Sequence, residues 1–209
     1  MNHNEETFQT WNKVAQAYQD KFMELELYND SYDSFCKAIH KADARILDRG
    51  CGPVNITRYL LTKNPGYKIL GFDIAPNMIK LAKQNNPGAS FQVMDIREIG
   101  KMESQYDGII CGFSLPYLSP EESLQLISDT YDLLTEKGVL YLSFVEGDPT
   151  QSGFQTASTG DRSYFHYHNL SGFTEHLQYC GFHELVTFNL EYNRSETERE
   201  IHTIIIAKK

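Results

Sequence analysis

Apolar positions recur at helical steps through the first 42 residues and then change rhythm. Trp11, Val14, Ala15, Tyr18, Phe22 and Leu25 are spaced by three and four, which puts them on one helical stripe. Tyr32, Phe35, Cys36 and Ile39 form a second stripe, with Asp30 or Ser31 as its N-cap. From Ala44 the apolar runs are short and nearly continuous: ARILD (44–48), YKILGFD (67–73), SFQVMD (90–95), YDGIICG (106–112) and GVLYLSFV (138–145). Runs of this kind predict strands buried on both faces. Helical segments separate most of them. One spans 55–63 and stops at Asn64-Pro65-Gly66, and another spans 76–85 and stops at Asn86-Pro87-Gly88. A third spans 120–137, with Ser119 as cap, Pro120 in the first turn, Glu122 completing a capping box and Gly138 as stop. The crossover between Asp95 and Tyr106 is short and only weakly helical. The alternation predicts an α/β fold with a parallel sheet covered by helices on both faces.

The tail follows a different pattern. Residues 171–180 read as a helix closed by Gly181, followed by HELVTFNLEY (183–192) and IHTIIIAKK (201–209), joined by polar NRSETERE. A parallel crossover needs about a dozen residues or more, so these two runs predict an antiparallel hairpin at the sheet's end.

Composition narrows the class. The chain has 209 residues, 41% apolar, 12% aromatic and 22% charged, with a net charge of −9. These values predict one globular domain over 1–209 and exclude disorder. Its parts are a helical cover at 1–43, a core at 44–148, and a loop, helix and hairpin at 149–209. No apolar stretch approaches the ~20 residues that span a bilayer, and the N-terminus carries no signal-peptide pattern. The acidic balance argues against nucleic acid as partner. Cys36, Cys51, Cys111 and Cys180 show no CxxC spacing and read as reduced thiols of a cytoplasmic protein. The histidines show no metal-ligand spacing beyond His166-x-His168, so no metal is expected.

The chemistry concentrates where strands end. The first strand runs into Asp48-Arg49-Gly50-Cys51-Gly52-Pro53. Glycines there permit positive φ and close approach of a ligand, and the next helix offers unpaired N–H groups. The second strand ends in Asp73, placed to accept hydrogen bonds from two ribose hydroxyls or to cap the following helix. The third ends in Asp95, placed to accept from an adenine amino group or, again, to cap.

In order, ILDRGCGP, GFDIAPNMIKLAKQN, FQVMDIREI, YDGIICGFSLPYL and LLTEKGVLYLSFVEGD resemble the class I S-adenosylmethionine-dependent methyltransferases, in the type acting on small molecules. The resemblance runs from about Ala44 to Asp148. It implies a Rossmann-like, seven-stranded sheet of order 3-2-1-4-5-7-6 with strand 7 antiparallel. It implies S-adenosyl-L-methionine as cofactor and S-adenosyl-L-homocysteine as product. By that resemblance Asp48, Gly50, Cys51 and Gly52 surround the methionine portion, and Asp73 binds the ribose with Ile74 and Met78 nearby. Asp95 and Ile96 meet the adenine, Cys111 and Gly112 line the methionine end, and Tyr18 closes over the methyl group. Two positions depart from the family pattern. Val54 replaces its third glycine and crowds the turn, and Arg49 stands where an apolar residue is usual, read as solvated or Asp-paired.

Methyl transfer needs alignment in a dry pocket and a base only if the acceptor must lose a proton. The acceptor side is expected above strands four and five, beneath FSLPYL (113–118), the Gly/Ser/Thr-rich segment 146–168 read as a mobile lid or specificity loop, and the N-terminal helices. His166, His168, Tyr117 and Glu146 are the candidate catalytic groups. The segment after strand four lacks an Asn-Pro-Pro-Tyr type motif, which fits a small-molecule acceptor. A nicotinamide-dependent oxidoreductase would need glycine at position 55, where Asn55 stands. A non-catalytic cofactor-binding regulator is the other alternative, favoured by Val54. The sequence does not fix the oligomeric state.

Overall fold

The computed structural model describes residues 3–157, 160–195 and 197–209. Two helices, α1 (His3–Phe22) and α2 (Asn29–Ala38), precede β1 (Arg45–Arg49). Then α3 (Asn55–Lys63), β2 (Lys68–Asp73), α4 (Pro76–Asn85), β3 (Ser90–Val93), β4 (Tyr106–Gly112), α5 (Pro120–Leu133) and β5 (Leu134–Glu146) alternate. A small hairpin, β6 (Gly153–Thr156) and β7 (Arg162–Phe165), leads to α6 (Leu170–Cys180), β8 (His183–Asn193) and β9 (Arg199–Lys208).

The main sheet has seven strands in the order β3-β2-β1-β4-β5-β9-β8. This is the topology the resemblance implied. The labels of the last two strands differ because β6 and β7 intervene as a separate two-stranded sheet. The first five strands pair in parallel, and β9 runs antiparallel between β5 and β8. One core layer packs α5 and α6 on the sheet through Leu126, Ile127, Phe144, Phe173 and Leu177. The other packs α2 and α3 through Tyr32, Phe35, Leu60, Tyr141 and Ile204. With both faces covered, β1 and β4 have to be apolar along nearly their whole length.

Two local expectations need correction, and the segment read as a lid or specificity loop takes a definite form. The helix predicted to reach Lys137 stops at Leu133, because Leu134 turns extended and pairs with Tyr106 of β4. The cap of α2 is Tyr28, with no side-chain hydrogen bond, rather than Asp30 or Ser31. The segment read as a mobile lid folds in its described part as the β6–β7 hairpin clamped on α1. There the Thr10 hydroxyl donates to the Arg162 carbonyl at 2.6 Å, Lys13 pairs with Asp161 at 2.7 Å, and Arg162 pairs with Glu6.

The capping box of α5 is present in full. Ser119 accepts from the Glu122 N–H, and the Glu122 carboxylate accepts from the Ser119 N–H at 2.8 Å. Ser119→Ala is expected to cost about 1 kcal/mol, read as a lowered urea midpoint with unchanged slope.

Candidate functional site

The turn after β1 combines three left-handed residues. Gly50 has φ +63°, Gly52 φ +53° and Val54 φ +71°. At Gly50 a Cβ would lie 2.7 Å from the Ser114 Cβ, so both the conformation and the close approach demand glycine. Val54 takes the same conformation at a cost of about 1–2 kcal/mol for an L-residue. Its side chain is fully buried among Cys51, Ile79, Ala82 and Phe91, and that burial, worth about 1.5–3 kcal/mol, offsets the strain. The crowding expected of valine at this position is thus absorbed by a small apolar cluster behind the turn.

Two acids hold the turn. Asp73 at the tip of β2 accepts from the Gly52 N–H at 3.0 Å and the Ala75 N–H at 2.9 Å. It therefore ties the glycine turn to the next strand instead of capping α4, whose N-cap is Ala75. Burial pushes its carboxyl above the ordinary range, against the two backbone hydrogen bonds. Asp48 is buried, with its Oδ2 accepting from the Thr57 hydroxyl at 2.6 Å. Burial pushes it up to about 6, with the Thr57 bond opposing and Asp73 adding to the rise.

Arg49 corrects the reading of a solvated or Asp-paired side chain. It is fully buried, and none of its three guanidinium nitrogens has a hydrogen-bond partner. Asp48 faces Thr57 of α3, and strand alternation sends Arg49 to the opposite face, toward Cys111 and Asp129.

Asp95 caps a short 3-10 helix at Ile96–Lys101, accepting from the Arg97 N–H, and its carboxylate also holds the Arg97 guanidinium at 2.6 Å. Burial acts to raise it, but the Arg97 bonds outweigh burial and hold it below the usual carboxylate value. Ile74 is exposed, whereas Met78 is buried against Ala15 and Ala75. At the tip of β4, Cys111 is buried, its thiol 2.9 Å from the Ser114 hydroxyl. At Gly112 a Cβ would fall 2.4 Å from the Ile56 side chain, and Phe113 follows at φ +52°.

Helix α1 covers these strand tips. Tyr18 lies over the turn, 3.7 Å from where a Gly52 Cβ would be. Trp11 sits edge-on to both Tyr18 and Tyr117, and Tyr117 meets Phe165 of the hairpin. Tyr18 and Tyr117 are both pushed up by burial. Tyr117 thus belongs to an aromatic cluster with Trp11, Tyr18 and Phe165. The other catalytic candidates have partners of their own. His168 is buried against Phe144 and Phe173, its Nε2 3.0 Å from the Leu115 carbonyl, which fixes it as a support of the 115–117 turn. His166 is half-buried with His3, Tyr164, Glu121 and Glu122 as neighbours, and its backbone N–H donates to the Pro116 carbonyl at 2.7 Å. Glu146 accepts from the Thr203 hydroxyl at 2.8 Å, on the sheet face opposite His202.

Sequence reasoning missed a group of polar side chains beyond the tip of β4. Tyr28, Tyr192, Glu200 and His202 come together there, with Phe113 against both Tyr28 and His202. The only local signal was Glu200-x-His202, two positions apart on one strand face.

Glycines in the first turn and an acid at the second tip, at the carboxyl ends of β1 and β2, are the arrangement with which Rossmann-like folds bind nucleotide cofactors. Comparison with known proteins shows what this arrangement is similar to. Residues 46–138 match a family described as a methyltransferase domain. The trans-aconitate 2-methyltransferase of Variovorax paradoxus is 31% identical over 109 residues, 51% of this chain and 41% of that protein. The structure of magnesium protoporphyrin IX methyltransferase from Synechocystis PCC 6803 with bound S-adenosylhomocysteine superposes with TM-score 0.73 at 16% identity, covering 100% of both chains. That of 1,6-didemethyltoxoflavin-N1-methyltransferase from Burkholderia thailandensis gives 0.71 at 17% identity, covering 98% of this chain and 87% of that one. Residues 46–138 are thus similar to methyltransferase domains, on a fold shared with S-adenosylmethionine-dependent methyltransferases. It spans less than half the length of the curated relatives it matches.

Proposed function

We propose that the protein transfers the methyl group of S-adenosylmethionine to a small-molecule acceptor. The observation that carries this reading is the pair of desolvated acids, Asp48 and Asp73, flanking a turn with two left-handed glycines. The donor set fits the cofactor. A buried carboxylate with a raised pKa matches an ammonium group, and Asp73 has lone pairs left for ribose hydroxyls after its two backbone bonds. Bound there, the cofactor supplies an electrophilic methyl group. Asp48 would hold the amino group, and Gly50, Cys51 and Gly52 the rest of the methionine portion. Asp73 would take the ribose, Ile74 and Met78 would pack near it, and Asp95 and Ile96 would meet the adenine. Cys111 and Gly112 would line the methyl side under Tyr18. The aromatic wall of Trp11, Tyr18 and Tyr117 would exclude water and align the acceptor.

Trans-aconitate, magnesium protoporphyrin and didemethyltoxoflavin, the acceptors in the relatives' names, are all small molecules, which supports the same class here. The acidic charge and the lack of any helix apolar and long enough to cross a membrane, among the described residues, accord with work in the cytoplasm away from nucleic acid.

Asp73→Ala is expected to weaken binding of S-adenosylmethionine by about 1.5–3 kcal/mol in titration calorimetry. Unchanged affinity would remove Asp73 from the site. Binding of NAD without the sulfonium ligand would overturn the reading as a whole.

A further inference from the structure

Three segments besides its own strand converge on one imidazole outside the cofactor turn. His202 on β9 is 6% exposed. Its Nδ1 lies 2.7 Å from the hydroxyl of Tyr28, just ahead of α2, and its Nε2 lies 3.5 Å from Glu200 Oε2. The ring stacks on Tyr192 of β8 at 4.6 Å and leans on Phe113 at 4.8 Å. The second Glu200 oxygen accepts from Arg194 at 3.2 Å. The His202 contact and the Arg194 charge, against burial, hold Glu200 below its ordinary value.

An ionised Glu200 only accepts, so in the neutral ring of His202 Nε2 carries the proton and Nδ1 accepts from the Tyr28 O–H. The Tyr28 oxygen keeps its lone pairs for another donor. The chain of groups sits at the reacting end of the fold. Phe113 follows Gly112 at the tip of β4, and His202 pairs with Val145 near the end of β5. Tyr18, which covers the glycine turn, lies within electrostatic reach of both Tyr28 and Tyr192. Stability alone does not call for it, since apolar residues in a core position are as good as or better than a buried polar chain.

We infer that Tyr28, His202 and Glu200 form a proton relay that deprotonates a phenolic or enolic hydroxyl on a flat, conjugated acceptor resting against Tyr18 and Tyr192. The inference rests on the methyltransferase reading above. The acceptor O–H bond breaks as its proton passes to Tyr28 Oη, and the Tyr28 proton passes to His202 Nδ1. Glu200 holds the resulting imidazolium. The oxyanion's electron pair forms the new O–CH3 bond, while the pair of the broken C–S bond stays on sulfur, and the imidazolium later returns its proton to water through Tyr28. Tyr28 is the catalytic residue; His202 and Glu200 are positioning residues acting through it. A carboxylate acceptor is already ionised at neutral pH and would leave such a relay idle, so the relay selects weakly acidic hydroxyls.

The test uses protein saturated with S-adenosylhomocysteine, with saturation followed by calorimetry. 7-Hydroxycoumarin, whose anion differs optically from its neutral form, is then titrated in. The wild type is expected to bind it and to raise its anion fraction about tenfold at a pH where the free probe is neutral. Tyr28→Phe and His202→Gln are expected to abolish that rise with the affinity for S-adenosylhomocysteine unchanged. 4-Nitrophenol, supplied as its anion, is expected to bind wild type and Tyr28→Phe alike. Absence of coumarin binding, an unshifted ionisation, the same shift in Tyr28→Phe, or equal loss of both probes in Tyr28→Phe each overturns the relay. Failure of S-adenosylhomocysteine itself to bind overturns the underlying reading instead.

Discussion

Arg49→Met is expected to stabilise the protein by about 1–4 kcal/mol. The guanidinium is fully buried and its three nitrogens make no hydrogen bond. A cation taken out of water without a partner costs several kcal/mol, and burial accordingly pushes the Arg49 pKa down. Methionine has an unbranched chain of similar reach and no charge, so it can fill the same slot between β1, β4 and α5 with little repacking. The side chain lies on the sheet face opposite Asp48, so affinity for S-adenosylmethionine is expected to stay as it is. Urea unfolding of the two proteins measures the gain. A loss of stability would mean that the guanidinium has interactions in solution worth more than its desolvation.

The backbone plan was legible because burial on both faces leaves a strong mark. ARILD and YDGIICG are central strands, and a central parallel strand has no solvent side on which to place polar residues. The glycine turn and the acids at 48, 73 and 95 were legible because special φ values and strand tips restrict residue choice. The junction of α5 and β5 was not. Leu133, Leu134, Thr135 and Glu136 continue a good helical pattern, and only the pairing of Leu134 with Tyr106, 28 residues back, ends the helix. Arg49 was misread because no local signal tells a buried arginine from a solvated one. The group around His202 was missed for a related reason. Tyr28 is 174 positions away and meets His202 only because β9 inserts beside β5. His166 and His168 drew notice by adjacency, yet His168 is spent on the Leu115 carbonyl.

Asp48 is expected to make cofactor binding pH-dependent, with affinity about tenfold weaker at about pH 5 than at about pH 7.5. Its carboxyl is pushed up to about 6 by burial, so below that pH it is neutral and must release a proton before it can pair with the amino group of S-adenosylmethionine. The stability of the free protein should run the other way. The folded state keeps a proton that the unfolded chain loses near its ordinary value, so the folded state binds more protons between about pH 4 and 6. Stability of the free protein therefore falls as pH rises through that window, by roughly 3 kcal/mol from this group, and is flat above it. Asp48→Asn is expected to weaken the cofactor by about 2–5 kcal/mol, because an ammonium is left buried without its counter-charge. The same variant should lose the part of both slopes that Asp48 supplies. Asp73 is raised too, so any slope that survives in Asp48→Asn belongs to it. Calorimetric titration of S-adenosylmethionine from about pH 5 to 8, beside urea unfolding over the same range, reads the two slopes together. Parallel slopes, or a pH-independent affinity in the wild type, would take Asp48 out of contact with the ammonium group.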